Sequence, residues 1–316
     1  MQWRDRVGRR LKLHELHVLM TVVQSGSMRK AAERLNSAQP AISRSIAELE
    51  HALGVRLLDR SRQGVQPTEY GRVLLDCGAV VFDELHQGLK NIEFLTDPTV
   101  GEIRVGGSEA MIAGLIPAVF GRLRRSYPGI SIHVMPVVPN PQQYRELRER
   151  RVDMILGRIA PSIDEDIATD ILYDERICVV AGMQNRWVRR RKIELSELAE
   201  EPWTVPHPET LTGSLVADAL RASGMKFPPK GAAMGTVHLF CALLASGPFV
   251  GFFPVSMLRF GSNLPPLKVL PVKLSIPHWP VGIMTLKNRT LNPVAKLFID
   301  CAREVTNPLA KENRIR

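Results

Sequence analysis

Residues 25–68, SGSMRKAAERLNSAQPAISRSIAELEHALGVRLLDRSRQGVQPT, constrain the fold more than any other part of the chain. Just before them, Leu13, Leu16, Met20 and Val23 recur at three- and four-residue spacing, which puts them on one helix face, and Ser25-Gly26 supplies a stop. A second helix opens at Ser27, a good N-cap, and turns Ala31, Ala32 and Leu35 inward, where small alanines admit a neighbouring helix. Asn36-Ser37 makes a tight turn. Ser37 is the expected cap of a third helix, with Pro40 in the first turn, where no intrahelical N–H bond is lost. Ile42, Ile46, Leu49 and Leu53 form the buried stripe of that helix, and Gly54 ends it in a left-handed conformation. Residues 57–68 then read as two brief strands around a Gly-containing turn, with arginines at the tip. Two short helices in a tight turn followed by a basic hairpin are the layout of a winged helix-turn-helix.

With the apolar side of the third helix occupied, Gln39, Ser43 and Arg44 point away from the core. They are short or fork-shaped polar groups near the N-terminal end of a helix, suited to base edges and phosphates in a major groove. The wing, with Arg60 and Arg62, is placed to follow the phosphate backbone or probe the minor groove. Charge supports this reading. Residues 1–68 hold twelve Lys or Arg against six Asp or Glu, a net of +6 within a whole-chain net of +10. More than half of the excess positive charge sits in about a fifth of the chain, the footprint of a phosphate-contacting module.

Ala31-Ala32, Leu35, Ser37-x-Gln39-Pro40-Ala41-Ile42-Ser43-Arg44, Ile46, Leu49-Glu50, Leu53-Gly54-Val55-x-Leu57-Leu58-x-Arg60 and Pro67-Thr68-x-x-Gly71 keep a fixed spacing over residues 13–71. On these positions the chain resembles the LysR-type transcriptional regulators. The resemblance implies that Ser37, Gln39, Pro40, Ser43 and Arg44 act from the recognition helix and its turn, and Arg60 and Arg62 from the wing. Ala38 stands where relatives commonly carry a small polar residue.

Residues 70–96 form a long proline-free segment after Thr68, a suitable N-cap. Leu74, Val81, Leu85, Ile92 and Leu95 follow the seam spacing of paired helices, with Gly78 and Gly88 at two seam positions, and Asp97-Pro98-Thr99 reads as a hinge. The resemblance implies a dimerising linker helix. Two recognition helices about a two-fold axis then read half-sites about 34 Å apart.

From Gly101 onward strands and helices alternate: strand candidates at 102–107, 130–138 and 152–157, helix candidates at 112–125 and 142–150, then strands at 177–181, 203–205 and 249–253, helices at 214–222 and 237–245, a strand at 281–285 and a helix at 293–305. This succession argues parallel α/β architecture, and two lobes joined by crossing strands account for the length. The fold class expected is α+β multidomain: an N-terminal winged helix-turn-helix over 1–68, a long linker helix over 69–98, and a two-lobed α/β domain over 99–306. One lobe spans about 100–171 and 274–306, the other about 172–273, and 307–316 is a tail. The resemblance implies a periplasmic-binding-protein-like effector domain with a ligand cleft between the lobes. Hydroxyls and N–H groups at helix starts suit an anion there. Ser108 and Glu109 follow the first strand, Thr210 and Thr212 precede one helix of the second lobe, and Thr236 precedes another. Arg158, just past a strand end, offers a fork for a carboxylate.

Other function classes fit poorly. His14-Glu15-Leu16-His17 lacks the four-residue histidine spacing of a zinc protease, residues 101–107 lack the Lys-Ser or Lys-Thr of a phosphate loop, and no Gly-x-Ser-x-Gly elbow occurs. Cys77, Cys178, Cys241 and Cys301 match no metal or disulfide framework and read as buried thiols. The basic start is not followed by the apolar stretch of a secretory signal, and the apolar window 240–255 is broken by Gly247, Pro248, Gly251 and Pro254. The expectation is a cytoplasmic, ligand-responsive regulator without enzymatic activity, metal or cofactor. Its partners would be double-stranded DNA at a pseudo-palindromic promoter site, further copies of itself as dimer or tetramer, a small-molecule effector of organic-acid type, and RNA polymerase, with no membrane association. The competing reading is a cleft-type small-molecule binding protein with an extra N-terminal interaction domain.

Overall fold

The structure is a computed structural model that describes residues 11–61, 64–140, 142–227, 229, 232–261 and 264–314. It divides into two compact units, Met1–His86 and Gln87–Arg316.

The first unit comprises helices α1 (Leu13–Ser25), α2 (Met28–Arg34) and α3 (Gln39–Leu53), a hairpin of β1 (Leu58–Ser61) and β2 (Gly64–Pro67), and the first part of α4 (Glu69–Thr96). Val18, Leu19 and Val22 of α1 pack with Ala31 and Ala32 of α2, Ile42, Ile46 and Leu49 of α3, and Leu57, Leu58 and Val65 of the hairpin. The face of α1 is therefore wider than its periodicity suggests. Leu13 is exposed, and Met20 and Val23 are half-buried. The reason is that α1 has neighbours on two sides. Its Leu16 Cδ1 and Met20 Sδ lie 3.0 and 3.2 Å from where a Cβ on Gly78 of α4 would stand. Gly78 thus makes room for α1 and is not a seam residue facing a second copy.

The turn between α2 and α3 corrects the expected cap. Ala38, not Ser37, is the N-cap residue of α3, and no side chain caps that end. Asn36 adopts a left-handed φ of 48°, and the Ser37 N–H donates to the Ala32 carbonyl at 2.9 Å while the Asn36 N–H donates to Glu33 at 3.3 Å. That pair of bonds closes the C-terminus of α2, so Ser37 serves the end of one helix and not the start of the next. Gly54, with φ of 72°, ends α3 as expected.

The wing is tied to the helices by backbone contacts. The Val65 N–H donates to the Gly26 carbonyl at 3.0 Å, and a Cβ on Gly64 would stand only 2.8 Å from that oxygen. Glu50, near the end of α3, accepts the N–H groups of Leu57 and Leu58 at 2.7 and 3.2 Å, which holds the approach to β1 against the recognition helix. Thr68 Oγ1 accepts the Gly71 N–H at 3.1 Å and donates to the Arg56 carbonyl at 2.8 Å, starting α4 beneath the wing.

The second unit holds two five-stranded sheets. The first contains β3 (Val100–Gly107), β4 (Gly129–Pro136), β5 (Met154–Arg158), β6 (Ile167–Glu175) and β12 (Trp279–Leu286), in the order β4-β3-β5-β12-β6. It carries α5 (Glu109–Ala113), α6 (Leu115–Ser126), a short α7 (Arg145–Arg148) and α11 (Pro293–Arg314). The second sheet contains β7 (Ile177–Gly182), β8 (Trp203–Val205), β9 (Ala233–Met234), β10 (Val250–Pro254) and β11 (Leu267–Val269), in the order β11-β7-β10-β8-β9, with α8 (Leu211–Ala222), α9 (Val237–Ala245) and α10 (Val255–Phe260). Ile103, Val105, Leu123, Leu156 and Phe298 centre one core; Val179, Trp203, Val216, Leu220 and Val250 centre the other.

Both sheets are mixed, which corrects the expectation of parallel architecture. β3 pairs parallel with β4 and β5, but β12 runs antiparallel to β5 and β6, and β7 runs antiparallel to β10 and β11. The chain passes from one lobe to the other and returns, and the strands at the passage enter reversed. β6, which has no counterpart among the expected strands, buries Leu172 and Tyr173 between the exposed Ile171 and Asp174 and ends at Glu175, past the lobe boundary expected at 171. The expected helix over 112–125 is two helices interrupted at Gly114, and the helix over 142–150 shrinks to Arg145–Arg148. At the C-terminus, α11 continues through Pro308 to Arg314 where a tail was expected. Leu309 is buried against the first core, and its apolar contacts offset the backbone bond lost at the proline.

Candidate functional site

The polar side of α3 is open. Gln39, Pro40 and Arg44 are exposed and Ser43 is half-buried, whereas Ile42 and Ile46 are 3% and 0% exposed on the opposite side. Among the described residues no side chain or backbone group bonds the side chains of Gln39, Ser43 or Arg44. Ser37 is exposed in the preceding turn, and Arg60 projects from β1, a strand with three exposed residues. Arg62 lies outside the described residues. Glu50, quoted above only as part of a spacing pattern, emerges as the residue that positions the wing; what it does became visible only once the strand approach folded back onto α3.

Between the two sheets of the second unit lies a cavity of about 280 Å³. Ser108, Glu109, Thr210 and Thr212 line it, as do Val137, Pro206, His207, Phe240, Phe252 and Met257, which the sequence did not single out. The loop and strand residues of this wall come from distant parts of the chain, so no local pattern could announce them. The cavity is mostly apolar, where a lining of hydroxyls and helix ends was expected.

The expected polar residues divide into free and engaged groups. The hydroxyls of Ser108 and Thr212 have no bond to any described residue. Thr210 caps α8: its Oγ1 accepts the Gly213 N–H at 3.0 Å and donates to the His207 carbonyl at 2.7 Å. Gly213 is required there, because a Cβ would stand 1.9 Å from the same carbonyl oxygen. Thr236 caps α9 by accepting the Leu239 N–H at 3.2 Å and does not line the cavity. Arg158 also stands outside the lining. Its guanidinium donates to the Leu211 carbonyl and lies 4.8 Å from the centre of the Trp279 ring, and burial lowers its pKa. Arg158 therefore joins the lobes at the first residue of α8 and offers no fork to the cavity.

The starts of α8 and α9 are treated alike. The Leu211 N–H donates to the Pro139 carbonyl at 3.0 Å, and the Val237 N–H donates to Glu109 Oε2 at 2.9 Å. In each helix the first N–H is taken by an acceptor from the opposite lobe, and the third by the helix's own threonine cap. The unpaired donors that a helix start presents are thus largely satisfied within the protein.

Where β6 passes into β7, Glu175 is 3% exposed and accepts the N–H groups of Arg176 at 3.0 Å and Ser256 at 3.2 Å, the Tyr173 hydroxyl at 3.3 Å, and the Ser256 hydroxyl. Burial pushes its carboxyl above the usual range. This buried cluster pins the first turn of α10 to the crossing strand, a role that needed the folded chain to appear.

The cysteines are unpaired; Cys77 is exposed on α4 and Cys178, Cys241 and Cys301 are half-buried, which corrects the reading of four buried thiols. Cys178 donates to the Phe253 carbonyl at 3.4 Å, and burial pushes its thiol up to about 12. In the His14–His17 segment, Glu15 accepts the Lys12 backbone N–H at 3.2 Å and His17 packs against the Phe82 ring at 5.7 Å. Among the described residues no group of three or more His, Cys, Asp or Glu is placed to hold a metal, and no helix is long and apolar enough to cross a membrane.

Comparison with known proteins agrees with this division of the chain. Residues 13–72 match the bacterial regulatory helix-turn-helix protein, lysR family, and residues 96–307 match the LysR substrate binding domain. The transcriptional regulator YdcI of Escherichia coli (strain K12) is 27% identical over 299 residues, covering 94% of this chain and 96% of its own. Among solved structures, a full-length OxyR variant from Pseudomonas aeruginosa covers 92% of this chain and 97% of its own, with a TM-score of 0.65 at 23% identity. Full-length CbnR in complex with its target DNA covers 93% and 100%, with a TM-score of 0.64 at 19% identity. The chain belongs to the LysR family of bacterial transcriptional regulators, with a DNA-binding helix-turn-helix followed by a substrate-binding domain.

Proposed function

We propose that this regulator works as a homodimer or tetramer in the cytoplasm, reads a pseudo-palindromic promoter site through two copies of α3, and answers to a small molecule held between its lobes. The observation that carries the DNA reading is the division of α3: Ile42, Ile46 and Leu49 are shut into the core while Gln39 and Arg44 face out without partners. Gln39 and Arg44 then meet base edges, Ser43 and Ser37 meet phosphates or base edges at the groove wall, Pro40 sets the first turn, and Arg60 and Arg62 follow the backbone from the wing.

Pairing falls to α4. Val73 is 72% exposed, Leu89 59% and Ile92 61%, with Val80, Leu85 and Leu95 also exposed. This exposed set, a modification of the seam expected from spacing, leaves out Leu74, which packs on the helix-turn-helix core, and Val81, which is half-buried. A face of this size without a partner on a water-exposed helix favours burial against a second copy. The effector acts by population shift: it changes how copies are arranged, and hence the spacing and bend of bound DNA and the approach of RNA polymerase, to the extent that it binds the two arrangements unequally. No chemical step is required.

The test is a gel shift of the full chain with fragments of its own promoter region. Retardation that weakens steeply as salt rises is expected, because phosphate contacts release counterions. No retardation at low salt would favour the cleft-type binding protein with an added interaction domain.

A further inference from the structure

We propose that the cleft selects a molecule with an apolar body and a positively charged head, and that Glu109 sets this preference. The inference rests on the reading of this cleft as the effector site and names the ligand class.

Among the described lining residues Glu109 is the only Asp, Glu, Lys or Arg. The strand-end cation Arg158 is outside the lining and held by Leu211 and Trp279. One carboxylate oxygen of Glu109 accepts the Val237 N–H at 2.9 Å, and among the described residues nothing bonds the other. The organic acid expected from helix starts meets the opposite of what it needs. Two of the first three N–H groups of α8 and of α9 are already taken, by Pro139 and Thr210 in one and by Glu109 and Thr236 in the other. An incoming carboxylate would give up part of its water shell beside a like charge, with no Lys or Arg among the described lining residues to offset it, whereas an ammonium group gains a charge-assisted bond to the free oxygen of Glu109. The hydroxyls of Ser108 and Thr212 add acceptors for its remaining protons.

The body follows from the rest of the wall. Val137, Phe240, Phe252 and Met257 offer apolar and aromatic surface. A dry cavity of about 150 Å³ is enough for benzene, so the roughly 280 Å³ here holds one ring and a short side chain.

Three probes of matched shape test this on the full-length chain by thermal shift and calorimetry: 2-phenylethylamine, 2-phenylethanol and 3-phenylpropionate. Glu109→Gln is the informative variant, since the amide oxygen still accepts the Val237 N–H while the charge is gone. The amine is expected to bind the wild type most tightly, and Glu109→Gln to weaken it about tenfold, the worth of one charged hydrogen bond, with the alcohol little changed. If 3-phenylpropionate binds the wild type as well as or better than the amine, the cleft is a ligand site but the assigned class is wrong. An amine affinity that Glu109→Gln leaves intact likewise removes Glu109 as the selector. If none of the three binds the wild type at millimolar concentration, the reading of the cleft as the effector site falls with the proposal.

Discussion

The recognition face and the cleft use the same kinds of residue to opposite ends. On α3 the polar side chains Gln39, Ser43 and Arg44 have no partners among the described residues, and the surroundings hold the helix still: the left-handed Asn36, the Gly54 cap and the two bonds into Glu50. Around the cleft, Thr210 and Glu109 in its lining and Thr236 and Arg158 outside it are of the types that greet ligands, yet each is bound to a neighbour, and two of them bridge the lobes. A polar residue near a helix start thus announces a site only when the fold leaves it unoccupied. Which residues are left free, Ser108 and Thr212 among them, is settled by the partners that other segments bring.

The sharpest way to break this contrast is to disturb the frame and not the contacts. At Gly71 a Cβ would stand 2.1 Å from the Leu57 carbonyl oxygen. Gly71→Ala is expected to cost about 3 kcal/mol, the upper range for forced overpacking, and to abolish retardation of DNA while the substrate-binding domain still melts as a separate transition in calorimetry. Next comes Glu50→Ala, which strands the N–H groups of Leu57 and Leu58, both on buried residues. A loss of about 2 kcal/mol in urea unfolding is expected from the unsatisfied donors, together with weaker DNA binding because the wing is no longer anchored to α3.

Replacing the contacts themselves separates the two effects. Arg44→Ala and Gln39→Ala should each weaken specific DNA binding by about 1–3 kcal/mol in gel shifts, with the melting temperature unchanged because both side chains are exposed and unbonded. Equal binding by wild type and both variants would remove them from the interface. The smallest effects lie in the cleft and come as a pair. Thr210→Val removes the α8 cap and should cost about 1 kcal/mol, whereas Ser108→Ala should stay within about 0.5 kcal/mol and leave DNA affinity intact while blunting the response to an effector. A Ser108→Ala protein that responds normally would place the ligand elsewhere.

Much of the first unit was legible because its signals are local. The stop at Gly26, the left-handed Gly54 and Thr68 as the start of α4 act over one or two turns and appear as expected, and so do the buried Ile42, Ile46 and Leu49 of α3, whereas the buried face of α1 is wider than its spacing. Ser37 was misassigned for a local reason too: a serine in a two-residue turn can serve either helix, and the left-handed Asn36 decided in favour of the earlier one. Gly78 looked like a seam position because spacing along α4 does not tell whether the face meets α1 or another copy. The second unit was legible as an alternation of strands and helices, with β8 and α9 matching their expected bounds. Strand direction was not, since the strand that enters each lobe at the passage, β7 in one and β12 in the other, runs against its neighbours.

By itself the sequence determined the helix-turn-helix with its outward polar side, the basic balance of residues 1–68, and a two-lobed domain behind a long helix. These follow from periodicity, caps and charge, which act between near neighbours or add up over a segment. Only the tertiary structure decided that Glu109 reaches Val237, 128 positions away, that Arg158 closes on Leu211, and that Glu175 is buried at the crossing. Hydrogen bonds between distant segments depend on ångström-scale placement that packing supplies, and no spacing along the chain encodes it.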